Sequence, residues 1–244
     1  YPNLDVALIK KRTREYLASV KSVDRNVGRV LELLDQLKLS DRTIVIFTSD
    51  HGYNLGEHGV WYKGNAVRAL TKNPPQKWKN IPPNQRPNLW DTSLRVPTAV
   101  RWPGVVQPRS KMTRTVSNLD WYPTLLAMAG VELPPGITIR GRDFTPLLRG
   151  EKVAWDDGLY IEYSMHHGAT THMRGYRTSR WKLVRDFANP GRGELYDLET
   201  DPRESTNLVE SDSPLHVRIR KELDRKILKQ MHALDDPALA EIIQ

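Results

Sequence analysis

Apolar residues recur at three- and four-residue spacing between Asp5 and Lys38. Tyr16, Val20, Val23, Val27, Val30, Leu31, Leu34 and Leu37 fall on one stripe, which predicts a long amphipathic helix. Ser40-Asp41 interrupts the pattern, and Thr43-Ile44-Val45-Ile46-Phe47 follows as a short β-branched apolar run. That run reads as a strand buried on both faces. A helix feeding such a strand predicts a parallel sheet flanked by helices. The polar cluster Thr48-Ser49-Asp50-His51-Gly52 begins where the apolar run stops. In an open α/β sheet the carboxyl ends of the strands are where ligands sit.

From Gly64 to Asn88 the periodicity dissolves. Pro74-Pro75, Pro82-Pro83 and Pro87 forbid a long helix, and Arg68, Lys72, Lys77, Lys79 and Arg86 occur with no acidic residue among them. A strand is expected around Val96–Trp102, closed by Pro103-Gly104. Asp120 is expected to cap a helix with Pro123 in its first turn and Gly130 at its end. A short helix is expected over Phe144–Arg149.

The pattern then changes. Leu159–Tyr163, Met173–Thr178, Trp181–Arg185 and Leu195–Leu198 read as strands of a small antiparallel sheet, with His166, His167 and His172 on a loop. The amphipathic stretch Leu215–Leu234 reads as a helix covering that sheet. Two parts are expected: residues 1–150, belonging to an α/β domain, and residues 151–244, an antiparallel sheet with a carboxyl-terminal helix.

Composition narrows the function classes. The chain has 244 residues, enough for a substantial core, and its aromatic and aliphatic content excludes wholesale disorder. No apolar run is long enough to span a bilayer, and Tyr1-Pro2-Asn3 does not open a signal peptide. With no cysteine there is no disulfide framework. A formal charge of +8 indicates either a solvated basic surface or an anionic partner.

The candidate chemistry gathers after the first strand. Asp50 offers a carboxylate and His51 an imidazole, both metal ligands by type, and Gly52 permits a sharp turn beside an ion. The tripeptide alone reads better as a strand-to-loop turn. The continuation Tyr53-Asn54-Leu55-Gly56-Glu57-His58-Gly59-Val60-Trp61-Tyr62-Lys63 adds ligating and cationic groups in a glycine-punctuated loop. Zinc, manganese and calcium all remain open on the donor types alone.

Ser-Asp-His-Gly followed by Leu-Gly-Glu-His-Gly, a Trp and Lys63 resembles the second metal-binding segment of type I sulfatases, in the alkaline phosphatase superfamily. The segment is similar to that of the group that includes iduronate-2-sulfatase and many bacterial glycan sulfatases. The strings Ser93-Leu94-Arg95-Val96-Pro97, Arg101-Trp102-Pro103-Gly104, Asp120-Trp121-Tyr122-Pro123-Thr124-Leu125-Leu126, Pro146-Leu147-Leu148-Arg149-Gly150, Glu194-Leu195-Tyr196-Asp197-Leu198, Asp201-Pro202-Arg203-Glu204 and Asn207-Leu208 continue the likeness in order.

The resemblance implies part of an alkaline phosphatase-like sheet, Asp50 and His51 as ligands of Ca2+, and Lys63 as the lysine contacting sulfate and leaving oxygen. His58, Tyr53, Trp61 and Arg95 become candidate substrate-binding or supporting residues. The family's nucleophile is a formylglycine made in a Cys/Ser-x-Pro-x-Arg motif, and neither version occurs here; its early Asp-Asp metal pair is also missing. The implied reading is the carboxyl-terminal half of a sulfatase, inactive alone, acting on a sulfated carbohydrate with an N-terminal segment of the same enzyme. Nucleic acid is not an implied partner. A periplasmic, secreted or lysosomal setting is implied. A phosphate or phosphonate ester hydrolase and a non-catalytic polyanion-binding module are the alternatives.

Overall fold

The computed structural model describes residues 5–66, 70 and 78–241. These fall into two compact units, one comprising 6–50 with 96–157 and the other comprising 5, 51–66, 70, 78–95 and 158–241. This cut differs from the expected boundary at residue 150, because residues 51–95 group with the second sheet.

In the first unit the amphipathic stretch forms helix α1, Val6–Gln36. Its apolar stripe is partly buried at Val27, Leu31 and Leu34, while Val20, Val23 and Val30 are 45–57% exposed, and no α1 residue is fully buried. Strand β1, Val45–Phe47, pairs antiparallel with β2, Ala99–Arg101, in the register Ile46↔Val100. This corrects the expectation of a parallel strand buried on both faces. β1 is only partly buried, because a two-stranded ribbon has too few neighbours to enclose it.

Helix α3, Trp121–Met128, packs against α4, Thr145–Leu148, through Trp121 and Phe144 at 4.9 Å between ring centroids. Asp120 is buried, but it does not cap α3. Its carboxylate accepts from the Ser117 and Arg142 backbone N–H groups, both at 2.7 Å, closing a capping box on the preceding 3-10 turn.

In the second unit four antiparallel strands follow in order: β3, Leu159–His167; β4, Ala169–Arg177; β5, Trp181–Asp186; and β6, Glu194–Asp197. The histidine stretch is not a loop, as the sequence suggested. β3 and β4 run through it and turn at Gly168, whose φ of +78° suits glycine. The apolar alternation fades near the tip, and this hid the strands from sequence. His166 and His172 end as diagonal neighbours, edge to face at 4.7 Å.

Helix α5, Pro214–Ala233, covers one sheet face. Leu223, Ile227 and Met231 meet Tyr176, Trp181, Leu183, Phe187 and Leu195 in the main core, each large side chain contributing roughly 1.5–3 kcal/mol on burial. Alternation along β5 sends Lys182 and Val184 to the opposite face. There Leu89 joins Ile161, Met173 and Val184, so the segment around 88–95 is laid across the sheet. Among the described residues no helix is long and apolar enough to cross a membrane.

Candidate active site

The His51–Tyr62 loop is fastened to one short helix, α2, Asp91–Leu94. The Gly52 N–H donates to the Ser93 carbonyl at 2.9 Å. A Cβ at Gly52 would stand 2.3 Å from the Thr92 carbonyl oxygen and 2.7 Å from that of Arg95, so only glycine fits this approach. Asn54 is fully buried and binds on every side. Its Nδ2 donates to the Tyr62 carbonyl at 2.5 Å and to Ser93 Oγ at 2.9 Å, while Oδ1 accepts from Thr92 Oγ1 at 2.5 Å. Gly56 at φ +98° begins the 3-10 turn Glu57–Gly59.

Helix α2 is itself held by charge. Lys182, wholly enclosed, donates to the Leu89 carbonyl at 2.8 Å and to Asp91 Oδ1 at 3.0 Å, and pairs with Glu204. Arg177 reaches Asp91 at 2.9 Å from the other side, and Glu204 accepts from the Asp91 N–H at 2.6 Å. Burial opposes ionisation of Asp91. The hydrogen bond from Arg177 and the charge of Lys182 outweigh it and hold the carboxyl at about 2. For Glu204 burial prevails over the pull of Lys182, and its carboxyl is pushed up.

The sequence-predicted residues take distinct places. The His51 Nδ1 lies 2.7 Å from the Gly52 carbonyl oxygen. A carbonyl only accepts, so Nδ1 carries the proton and Nε2 the lone pair, the tautomer a metal-ligating histidine adopts. In the other unit, Asn118 Nδ2 donates to the Ser49 and Asp50 carbonyls at 3.2 and 3.0 Å, fixing the backbone that carries the Asp50 carboxylate. Asp50 and His51 thus suit a divalent cation by donor type. They are a partial set: among the described residues no group of three or more His, Cys, Asp or Glu can hold a metal ion, and calcium takes six to eight oxygens.

Lys63 is half-buried and opens the turn closed by the Ala66 N–H on its carbonyl at 2.8 Å. His58 stacks flat on Trp90, 3.9 Å between centroids, and burial, then the charge of Lys182, lower its pKa to about 4 against the pull of Asp201. Trp61 is 6% exposed and meets Tyr53 edge to face at 6.2 Å. Arg95 is exposed. The described part of the basic stretch is tied down by Arg86 N–H to Ala66 O, Asn88 N–H to Gly64 O, and Thr170 N–H to Asn80 O. Arg68, Lys72 and Lys77 lie outside the described residues.

Asn54, Asp91, Lys182 and Glu204 escaped sequence reasoning. Asp91 and Lys182 stand 91 positions apart, and nothing local marks either as enclosed. Glu204 lies in the string Asp201-Pro202-Arg203-Glu204, which signalled kinship without revealing its partner.

The sulfatase family profile matches residues 4–131, and the profile of the N-sulphoglucosamine sulphohydrolase C-terminal region matches residues 85–233. The chain is 32% identical over 201 residues to an N-acetylglucosamine-6-O-sulfatase of Bacteroides thetaiotaomicron, covering 80% of this chain and 31% of that protein. It is 38% identical over 233 residues to the steryl-sulfatase of Mus musculus, covering 86% of this chain and 36% of that one. A solved structure of a protein in complex with its substrate D-glucosamine-2-N,6-O-disulfate superposes with a TM-score of 0.78 at 27% identity, over 97% of this chain and 45% of that one. The chain therefore spans less than half the length of these relatives.

Proposed function

The chain belongs to the sulfatase family, and on that premise we propose that it supplies the second half of the metal site and the cationic clamp of a sulfuric ester hydrolase acting on sulfated carbohydrates. The observation that carries this reading is the His51 ring. It is fixed by the Gly52 carbonyl in the tautomer that ligates through Nε2, in a loop locked to α2 by Gly52 and Asn54.

Asp50 and His51 would hold Ca2+, which when bound supplies positive charge against the developing sulfuryl oxyanion. Lys63 is assigned to the sulfate and the departing oxygen, as a compact cation with rotatable donors. On this reading the formylglycine and the acidic metal pair come from an N-terminal segment outside these residues, since the sequence has no cysteine and no serine two places before a proline. The substrate class follows the sulfated glucosamine derivatives handled by relatives. A periplasmic, secreted or lysosomal setting follows from family resemblance.

The test is sulfate release from a sulfated glucosamine with calcium present, together with binding of the same sugar. The chain alone is expected to bind it through Lys63 and to release nothing. Turnover that copurifies with the chain overturns the external nucleophile. Binding unchanged in Lys63→Ala overturns the clamp.

A further inference from the structure

Beside Lys63 the structure leaves polar atoms enclosed without partners. The turn Lys63–Ala66 lies along Arg86–Asn88, joined by Arg86 N–H to Ala66 O at 3.1 Å and Asn88 N–H to Gly64 O at 2.8 Å. The Tyr163 ring from β3 lies against Gly64, and Gln85 lies against Gly168 at the tip of the β3–β4 hairpin. Within this corner Arg86 Nη2, Asn65 Oδ1 and Gln85 Oε1 are shielded from solvent and form no hydrogen bond. Native proteins leave few such atoms, and each normally answers to a bound water, ion or ligand. Arg86 Nη1 is already used by the Pro83 and Gln85 carbonyls, so the unpaired edge of the guanidinium is Nη2.

Charge narrows the choice of occupant. No acidic residue occurs from Lys63 to Asn88. Arg192, paired with Asp186 at 2.8 Å, donates to the Pro87 carbonyl next to Arg86. Burial, and then the charge of Arg192, lower the pKa of Arg86, so an oxyanion at its unpaired edge would offset both. A guanidinium suits sulfate or carboxylate, and neighbouring amides accept from sugar hydroxyls.

We infer that Arg86 recognises a second oxyanion, a sulfate or a carboxylate, on the saccharide whose scissile sulfate lies at Lys63, while Asn65 Oδ1 and Gln85 Oε1 accept from hydroxyls of the same saccharide. This rests on the functional reading given above. It assigns Arg86 to substrate choice, and the hairpin contact at Gly168 to holding Gln85 in place.

The experiment is calorimetric binding to the chain of three probes: D-glucosamine 6-O-sulfate, D-glucosamine 2-N,6-O-disulfate, and a 6-sulfated disaccharide bearing a uronate. The unsubstituted chain is expected to favour at least one of the doubly charged probes, and which one identifies the second oxyanion. Arg86→Gln is expected to erase that preference, by roughly tenfold to a hundredfold, the range for losing hydrogen bonds to a charged group. Arg86→Lys keeps the charge without the fork, and is expected to restore only part of it. Exposed Lys229→Gln, on α5 and outside the basic stretch, controls for bulk charge and is expected to leave the preference unchanged.

An unsubstituted chain that does not discriminate overturns the inference. So does an Arg86→Gln variant that folds with native melting behaviour and retains the preference. If Arg86→Gln lowers the melting temperature while discrimination persists in the Arg86→Lys and Arg86→Gln proteins alike, the corner holds a structural water and the inference fails. Lys63→Ala, run in parallel, reports on the functional reading separately. Loss of binding there with preference retained in Arg86→Gln sinks the inference alone.

Discussion

Lys182 and Asp91 meet 3.0 Å apart with the lysine side chain wholly enclosed. Glu204 and Arg177 complete the group. Two cations and two carboxylates thus bind α2 to the sheet, and α2 in turn carries the loop of His51. Enclosed ion pairs add little net stability relative to an apolar replacement, but breaking one strands a buried charge. The network acts here as a register pin, fixing where α2 rests on β5.

Lys182→Met should therefore cost about 3–5 kcal/mol, because Asp91 and Glu204 keep their burial and lose a counter-ion. Urea denaturation followed by tryptophan fluorescence measures it. A loss under about 1 kcal/mol, the level of an exposed pair, would show that the network is solvated in solution.

Gly52→Ala should damage function more than stability. The new methyl would meet the Thr92 and Arg95 carbonyls at 2.3 and 2.7 Å, and backbone cannot swing aside as a side chain can. The loop must lift off α2, carrying His51 with it. Calcium and sulfated-sugar binding are expected to fall while the β3–β6 sheet keeps its circular dichroism. Gly28→Ala, where a Cβ meets nothing within 4 Å and the backbone is not left-handed, serves as the control.

Much of this scaffold was legible in sequence, and the reasons differ by element. The α1 stripe needs only local period, and Leu215–Leu234 likewise announced α5. The tip of the β3–β4 hairpin did not, since the alternation of Ile161, Tyr163 and Met165 stops there and His166 to His172 carry no large apolar residue to mark a strand. Asp50 and His51 stood out because a glycine-punctuated polar loop followed an apolar run, whereas Lys63 stood out through the family resemblance. Asn54 looked like an ordinary loop residue, and its enclosure depends on Ser93 and Thr92, 39 and 38 positions away. The orientation of β1 was misread because a β-branched run specifies a strand without specifying its partner.

Two acid windows should be separable. His58 has its pKa lowered from 6.5 to about 4, so the folded protein binds fewer protons than the unfolded chain between those values. Its stabilising contribution is full above 6.5 and drains as pH falls toward 4. Asp91, lowered from 3.8 to about 2, contributes above 3.8 and loses that contribution as pH falls toward 2. His58→Phe keeps a ring against Trp90 without a titrating group. From pH 6.5 to 4 the unsubstituted protein should lose stability relative to this variant, because groups such as Glu204 titrate alike in both and only the His58 contribution differs. Parallel declines in both proteins would move the cause away from His58.

The other cations of the basic stretch should act on encounter, whereas Arg86 acts on contact. Lys79 is exposed, and Arg68, Lys72 and Lys77 add charge in the same stretch of sequence with no acidic residue to offset them. Exposed charges work through long-range attraction, which salt screens over about 8–10 Å near physiological ionic strength. Their removal should therefore slow association with a sulfated oligosaccharide at low salt, leave dissociation nearly unchanged, and matter little at high salt. A small aryl sulfate, with one charge, should feel the change far less. The measurement is stopped-flow association of both ligands with the Arg68→Ser/Lys72→Ser/Lys77→Ser/Lys79→Ser protein across a salt series. Equal slowing for both ligands, or slowing that survives high salt, would mean that these residues touch substrate or shape the loop, and steering would be the wrong account. A salt-dependent loss confined to the oligosaccharide would instead tie the basic stretch to polyanionic glycans, independently of which sugar Arg86 selects.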